Sequence, residues 1–273
     1  MKRTLKVLLV NTLGVLVSFA MAQEFVCFDR QSEQAHLQFV GAEEAYTHDD
    51  APWMVNLSFG GQPFCGGALV NRSTVLTAAH CVTSGIVVRL AANDGSPNGD
   101  ALRVTAYAVH PDYTTSTRVS ANDVAVLKLA GEFDVSLSSL PYLLDRSRSQ
   151  TWGQPGDCAW AMGWGLTEEQ GDRSPVLVGG YVPLWADATC RRSYGDQLFS
   201  GTVCAGYEEG MRGTCQGDSG GPLLVRGGPT GVIQVGVVSY GIGCARQNFP
   251  TVFVRVSEYY DWIFQAAEEL AGR

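Results

Sequence analysis

The chain has 273 residues, of which 45% are hydrophobic and only 17% charged, with a formal net charge of −8. That argues against a disordered chain, and the lack of any basic block argues against a nucleic-acid partner. The length allows one or two domains with a sizeable core, and the 32 glycines follow no triplet period, so collagen is excluded.

Residues 1–22 read as a secretory signal peptide. Lys2, Arg3 and Lys6 form a positive head, Val7 to Gln23 is uncharged, and Ala20-Met21-Ala22 is a small-residue cleavage site. The rival is a membrane anchor, but the run is short for a span and no stop-transfer charges follow. Removing its three cations takes the exported chain from −8 to −11. Export makes the 8 cysteines a disulfide framework; a zinc site would need C-x2-C or H-x3-H spacing, and neither occurs.

From residue 39 the pattern is short strands between turns. Strands are predicted over Trp53–Ser58, Ala68–Thr77, Ile86–Leu90, Leu102–Ala108 and Val124–Leu129. Phe133 to Thr151 reads as the connection between two halves. Further strands are predicted over Ala159–Trp164, Val176–Val182, Pro222–Arg226, Val232–Tyr240 and Val252–Val256. Such a series suggests a β-barrel or sandwich. One helix is predicted at the C-terminus over residues 257–270. Tyr259, Trp262, Ile263, Ala266, Ala267 and Leu270 fall at helical spacing, with Ser257 as N-cap.

Three motifs carry chemistry: Leu76-Thr77-Ala78-Ala79-His80-Cys81, Asn122-Asp123-Val124-Ala125-Val126-Leu127, and Cys215-Gln216-Gly217-Asp218-Ser219-Gly220-Gly221-Pro222. A serine hydroxyl is a poor nucleophile unless a base adjoins it. Histidine, titrating near neutrality, can take that proton and return it to a leaving amine. A carboxylate then fixes the imidazole's tautomer. In their order, these motifs resemble the chymotrypsin-like (trypsin-fold) serine peptidases. Phe39-Val40-Gly41-Ala42, Phe64-Cys65-Gly66-Gly67, Gly163-Trp164-Gly165, Cys204-Ala205-Gly206-Tyr207 and Ser239-Tyr240-Gly241-Ile242-Gly243-Cys244 extend the resemblance over residues 39–273.

The resemblance implies an all-β fold of two six-stranded antiparallel β-barrels, roughly 39–140 and 150–256, followed by the C-terminal α-helix. It implies a secreted endopeptidase with Ser219 as nucleophile, His80 as general base and acid, and Asp123 as orienting carboxylate. Gly217 and Ser219 would form the oxyanion hole, and Ser239, Tyr240 and Gly241 would pair with the substrate backbone. The alternative is a catalytically silent homologue acting as a binding protein. Expected partners are protein or peptide substrates, an activating protease and protein inhibitors, with no nucleic acid, membrane, cofactor or metal, on a monomer. Asp94 and Asp100 lie where relatives may bind calcium, but so few carboxylates favour a solvated loop. His36, His48 and His110 match no catalytic position and are expected at the surface or in turns.

In the family, cleavage frees an N-terminus, here Phe39, that inserts and pairs with the residue at Asp218, so the resemblance implies that residues 23–38 are a pro-segment. Gln38 stands where trypsin-activated relatives carry Arg or Lys, so either an unusual activator cuts after Gln38, or a cut at Arg30, the pro-segment's one basic residue, is followed by a second trimming step. The resemblance pairs Cys65 with Cys81, Cys190 with Cys204 and Cys215 with Cys244. Cys27 and Cys158 are left over, because Val225 occupies the usual partner position. Sequence alone leaves their pairing open; a bond between them would keep the pro-segment attached. Asn56 and Asn71 begin glycosylation sequons, Asn71 in the better turn. At the base of the specificity pocket Gly213 replaces the Asp of trypsins, and the other charge-bearing position is Thr251. With Gly241 leaving one wall open, the expected preference is for small to medium apolar side chains, with Arg and Lys excluded.

Overall fold

The computed structural model describes Cys27, residues 44–116 and residues 119–272. The expected signal peptide, Phe39 and all of the expected pro-segment except Cys27 lie outside the described residues. The strands run β1 (Glu44–Tyr46), β2 (Met54–Phe59), β3 (Gln62–Asn71), β4 (Thr74–Thr77), β5 (Val87–Leu90), β6 (Ala101–Val109), β7 (Thr114–Thr115), β8 (Ser120–Ala121) and β9 (Ala125–Leu129). After them come β10 (Tyr142–Leu143), β11 (Cys158–Gly163), β12 (Leu177–Pro183), helix α1 (Asp187–Tyr194) and β13 (Thr202–Ala205). The last elements are β14 (Pro222–Arg226), β15 (Val232–Tyr240), β16 (Thr251–Arg255) and helix α2 (Val256–Ala271).

The first half closes as a six-stranded barrel in the order β2-β3-β4-β9-β6-β5. Met54, Leu57, Leu69, Leu76 and Leu127 are fully buried in it. Each such side chain favours the fold by about 1.5–3 kcal/mol over leaving it in water. The span predicted as one strand, Ala68–Thr77, is instead a hairpin. Asn71 Oδ1 accepts from Ser73 N at 2.9 Å, an Asx turn that breaks the run.

In the second half the strand path is β12-β11-β14-β15-β16-β13, and a single antiparallel bridge between Leu184 and Ala205 returns β13 to the end of β12. Leu223, Ile233 and Phe253 fill this core. Two short strands were not foreseen here: β1 adds to β12, and β10 pairs parallel with β15 inside the predicted connection. Nor were β13 and α1. Four residues with one glycine boundary give β13 little pattern, and α1 is a short polar helix with no side-chain cap. A disulfide, Cys190–Cys204, ties the two together.

Helix α2 leads straight out of β16 and packs on β9 and β15. Tyr259, Ile263, Ala266 and Leu270 are buried on its inner face as predicted. The predicted N-cap is corrected: Arg255 holds that position without a side-chain cap, and Ser257 is buried inside the first turn. All 8 cysteines form disulfides, with Cα–Cα distances of 5.5 Å for Cys27–Cys158, 6.1 Å for Cys65–Cys81 and 4.9 Å for Cys215–Cys244. Asn56 lies buried in β2, donating to the Pro97 carbonyl, whereas Asn71 sits at the hairpin turn. Among the described residues no helix is long and apolar enough to cross a membrane.

Candidate active site

The site lies where the barrels meet. β4 ends at Thr77 and the chain makes one 3₁₀ turn, Ala79–Cys81, that carries His80. Cys81 is fixed to β3 through Cys65, so the turn cannot drift. The sulfur atoms of these cysteines lie near the His80 ring, but their disulfide leaves no thiolate to bind a metal.

Asp123 is completely buried, while the His80 side chain is 29% exposed. Asp123 Oδ1 accepts from the His80 backbone N at 2.9 Å, and Oδ2 lies 2.7 Å from His80 Nδ1. An ionised carboxylate only accepts, so the imidazole proton belongs on Nδ1, leaving the Nε2 lone pair for another proton. The Ser239 hydroxyl donates to the same Oδ2 at 2.6 Å. Ser239 was expected only to bind substrate. Its second contact arises because it is the extra residue of a β-bulge: Val238 pairs with Phe253 and Tyr240 with Val252. The bulge aims its side chain at the carboxylate.

Ser219 comes from the other barrel. Its carbonyl accepts from Gly66 N at 2.7 Å and lies 3.5 Å from Cys81 Sγ, which pins the residue beside the His80 turn. Among the described residues its hydroxyl has no hydrogen-bond partner. Nucleophile–base contacts of this kind commonly tighten only around substrate. Gly220 allows the close approach: its φ is +80°, and a Cβ there would meet the Gly66 carbonyl oxygen at 2.5 Å. Gly217, at φ +103°, turns the preceding loop. Among the described residues the N–H groups of Gly217 and Ser219 donate to no internal acceptor.

Asp218 is buried behind this loop. Its two oxygens accept from Gly165 N at 2.8 Å and Cys215 N at 2.9 Å. Burial pushes its pKa up to about 6, against the lowering effect of those hydrogen bonds and of the Arg173 charge.

Gly213, Thr214, Gly241, Ala245 and Thr251 converge next to the nucleophile loop. A Cβ on Gly213 would lie 3.6 Å from Ala245 Cβ and 3.9 Å from Thr251 Oγ1. The Thr214 and Thr251 hydroxyls hydrogen-bond each other at 2.8 Å, so they satisfy one another without a carboxylate. Thr214 and Ala245 were not foreseen; both adjoin a disulfide cysteine, which was the available signal. Arg212 turns aside, its guanidinium 5.5 Å over the Tyr207 ring. The nearby acid Glu169 is held by Arg246 at 2.5 Å. Tyr240 is half-buried, its hydroxyl donating to the Gln197 carbonyl.

The remaining candidates are dispersed. Asp94 accepts from Ser96 N within its own exposed loop. His48 lies in a turn and His36 outside the described residues. His110 is not merely superficial: its ring packs 5.2 Å from Tyr259 and 4.9 Å from Trp262.

A comparison with family models matches residues 39–263 to the family described as Trypsin. Among curated relatives, Trypsin 5G1 of Aedes aegypti is 35% identical, covering 79% of this chain and 80% of the relative. Trypsin of Saccharopolyspora erythraea is 35% identical over 83% and 96%, and trypsin of Sus scrofa 36% identical over 78% and 89%.

Proposed function

The chain belongs to the trypsin family and is a serine endopeptidase; from that premise we propose that His80, Asp123 and Ser219 are its catalytic triad. The observation that carries this reading is the buried Asp123 carboxylate, which grips the His80 backbone and ring together. With Nδ1–H held by Asp123, Nε2 takes the Ser219 proton as Oγ attacks the scissile carbonyl. It then returns that proton to the leaving amine, and water repeats the cycle on the acyl-enzyme. Gly217 and Ser219 N–H stabilise the oxyanion, and Ser239, Tyr240 and Gly241 hold the substrate backbone.

The pocket formed by Gly213, Gly241 and Thr251 takes small to medium apolar side chains. The protein is exported by its signal peptide as a zymogen, and cleavage after Gln38 frees Phe39 to pair with Asp218. Protein substrates and inhibitors are its expected partners. The test is Ser219→Ala on the matured, secreted enzyme. Hydrolysis should fall by roughly 10⁶-fold and labelling by a fluorophosphonate probe should vanish, with secretion unchanged. A variant that keeps a tenth of wild-type hydrolysis rules the triad out.

A further inference from the structure

Asp123 has two oxygens facing three donors, at 2.9, 2.7 and 2.6 Å. A small rotation of that carboxylate breaks at least one of these contacts. The residue that sets its direction is Asn122, which takes the left-handed conformation at φ +52°. Asparagine tolerates that region better than other side chains, but tolerance alone does not fix the backbone. Asn122 is held on three sides. Its Nδ2 donates to the Asp112 carbonyl at 2.8 Å, and its Oδ1 accepts from the Tyr259 hydroxyl at 2.8 Å. Its own carbonyl accepts from Val124 N at 2.9 Å, closing a tight turn with Asp123 at the apex.

Tyr259 lies in the first turn of α2, at the far end of the chain. Its ring is buried, and His110 stands edge-on against it. His110 N in turn donates to the Val124 carbonyl at 3.1 Å. The helix therefore grips both flanks of the turn that presents Asp123.

We propose that Asn122 and Tyr259 are positioning residues of the peptidase: the Tyr259 hydroxyl locks Asn122 in its left-handed turn and thereby aims Asp123 at His80 and Ser239. This inference rests on the triad reading above. Misplacing a catalytic group by about 1 Å can cost about 10²-fold in rate, so the effect of a clamp made of two neutral hydrogen bonds is large enough to be measured.

The experiment compares Tyr259→Phe, Asn122→Gly and Asn122→Asp in the matured enzyme, with Tyr260→Phe as the neighbouring control. Tyr259→Phe should lower kcat about tenfold with KM within about twofold. Asn122→Gly keeps the backbone freedom but loses both side-chain bonds, and should lose at least as much. Asn122→Asp retains the acceptor for Tyr259 but turns a carboxylate oxygen against the Asp112 carbonyl and adds a charge beside Asp123, so it too should fall below wild type; Tyr260→Phe should match wild type. In parallel, the far-downfield proton resonance of the His80–Asp123 hydrogen bond should move in the three Tyr259 and Asn122 variants and stay in place in Tyr260→Phe. Lowered melting temperatures with wild-type kcat and an unmoved resonance would overturn the proposal. If Tyr259→Phe is not secreted, the Gly and Asp variants at Asn122 decide it alone. A wild-type enzyme that fails to label with fluorophosphonate would instead defeat the triad reading, so the two failures are distinguishable.

Discussion

At the residue scale, the proposed selectivity turns on a missing charge. A guanidinium entering beside Gly213 would meet only the mutually bonded Thr214 and Thr251 hydroxyls. Burying it unpaired costs several kcal/mol, so kcat/KM for an Arg substrate should lie at least about 10²-fold below that for Leu. Thr251→Asp supplies a carboxylate at a position already able to carry a side chain. It should raise Arg cleavage at least about tenfold and reduce Leu cleavage, as read from matched peptides differing at that residue alone. Asp218 gives a second test. Its folded pKa of about 6 lies above the unfolded 3.8, so the folded precursor binds the proton more tightly. Its stability contribution is therefore present below pH 4 and is lost as pH rises towards 6, by about 3 kcal/mol in all. Melting temperatures of the uncleaved precursor should fall across that window, and Asp218→Asn should remove this component. An unchanged pH profile in the variant would show that Asp218 is not the group responsible.

At the scale of elements, the nucleophile loop depends on contact without side chains. Gly220→Ala places a methyl against the Gly66 carbonyl in a left-handed backbone position. It should destabilise the fold by about 2–4 kcal/mol in urea titration and misplace Ser219. The same scale separates what was legible in the chain from what was not. His80, Asp123 and Ser219 stood out because each sits inside a dense local motif, and the burial stripe of α2 stood out through its 3.6-residue period. The hold of Ser239 on Asp123 and of Tyr259 on Asn122 did not, because each joins residues more than 100 positions apart. Hairpin β3–β4 was hidden by an Asx turn in an otherwise strand-like run. Strand β13 and helix α1 were missed because disulfide and tertiary contacts, rather than periodicity, support them.

At the scale of the whole molecule, the Cys27–Cys158 disulfide spans 131 residues and joins the expected pro-segment to β11. Cys27 is buried, and its carbonyl accepts from the Tyr207 hydroxyl at 3.3 Å. In the proposed maturation, the segment released by cleavage after Gln38 should remain bound: intact mass under non-reducing conditions should include it, and reduction should release it. Cys27→Ser should yield a matured enzyme lacking the segment under both conditions; loss of the segment from unreduced wild type would contradict the tether. Two flanking elements also cross between the halves. Strand β1 precedes the first barrel yet pairs in the second, and helix α2 follows the second yet packs on the first. Each half is thus buckled by the other's terminus, like two hands with crossed thumbs. Separating the halves would strip β1 from β12 and α2 from β9, so urea unfolding should be a single transition with coincident far- and near-ultraviolet signals, and the cleft, although built from two pieces, should keep a fixed gauge.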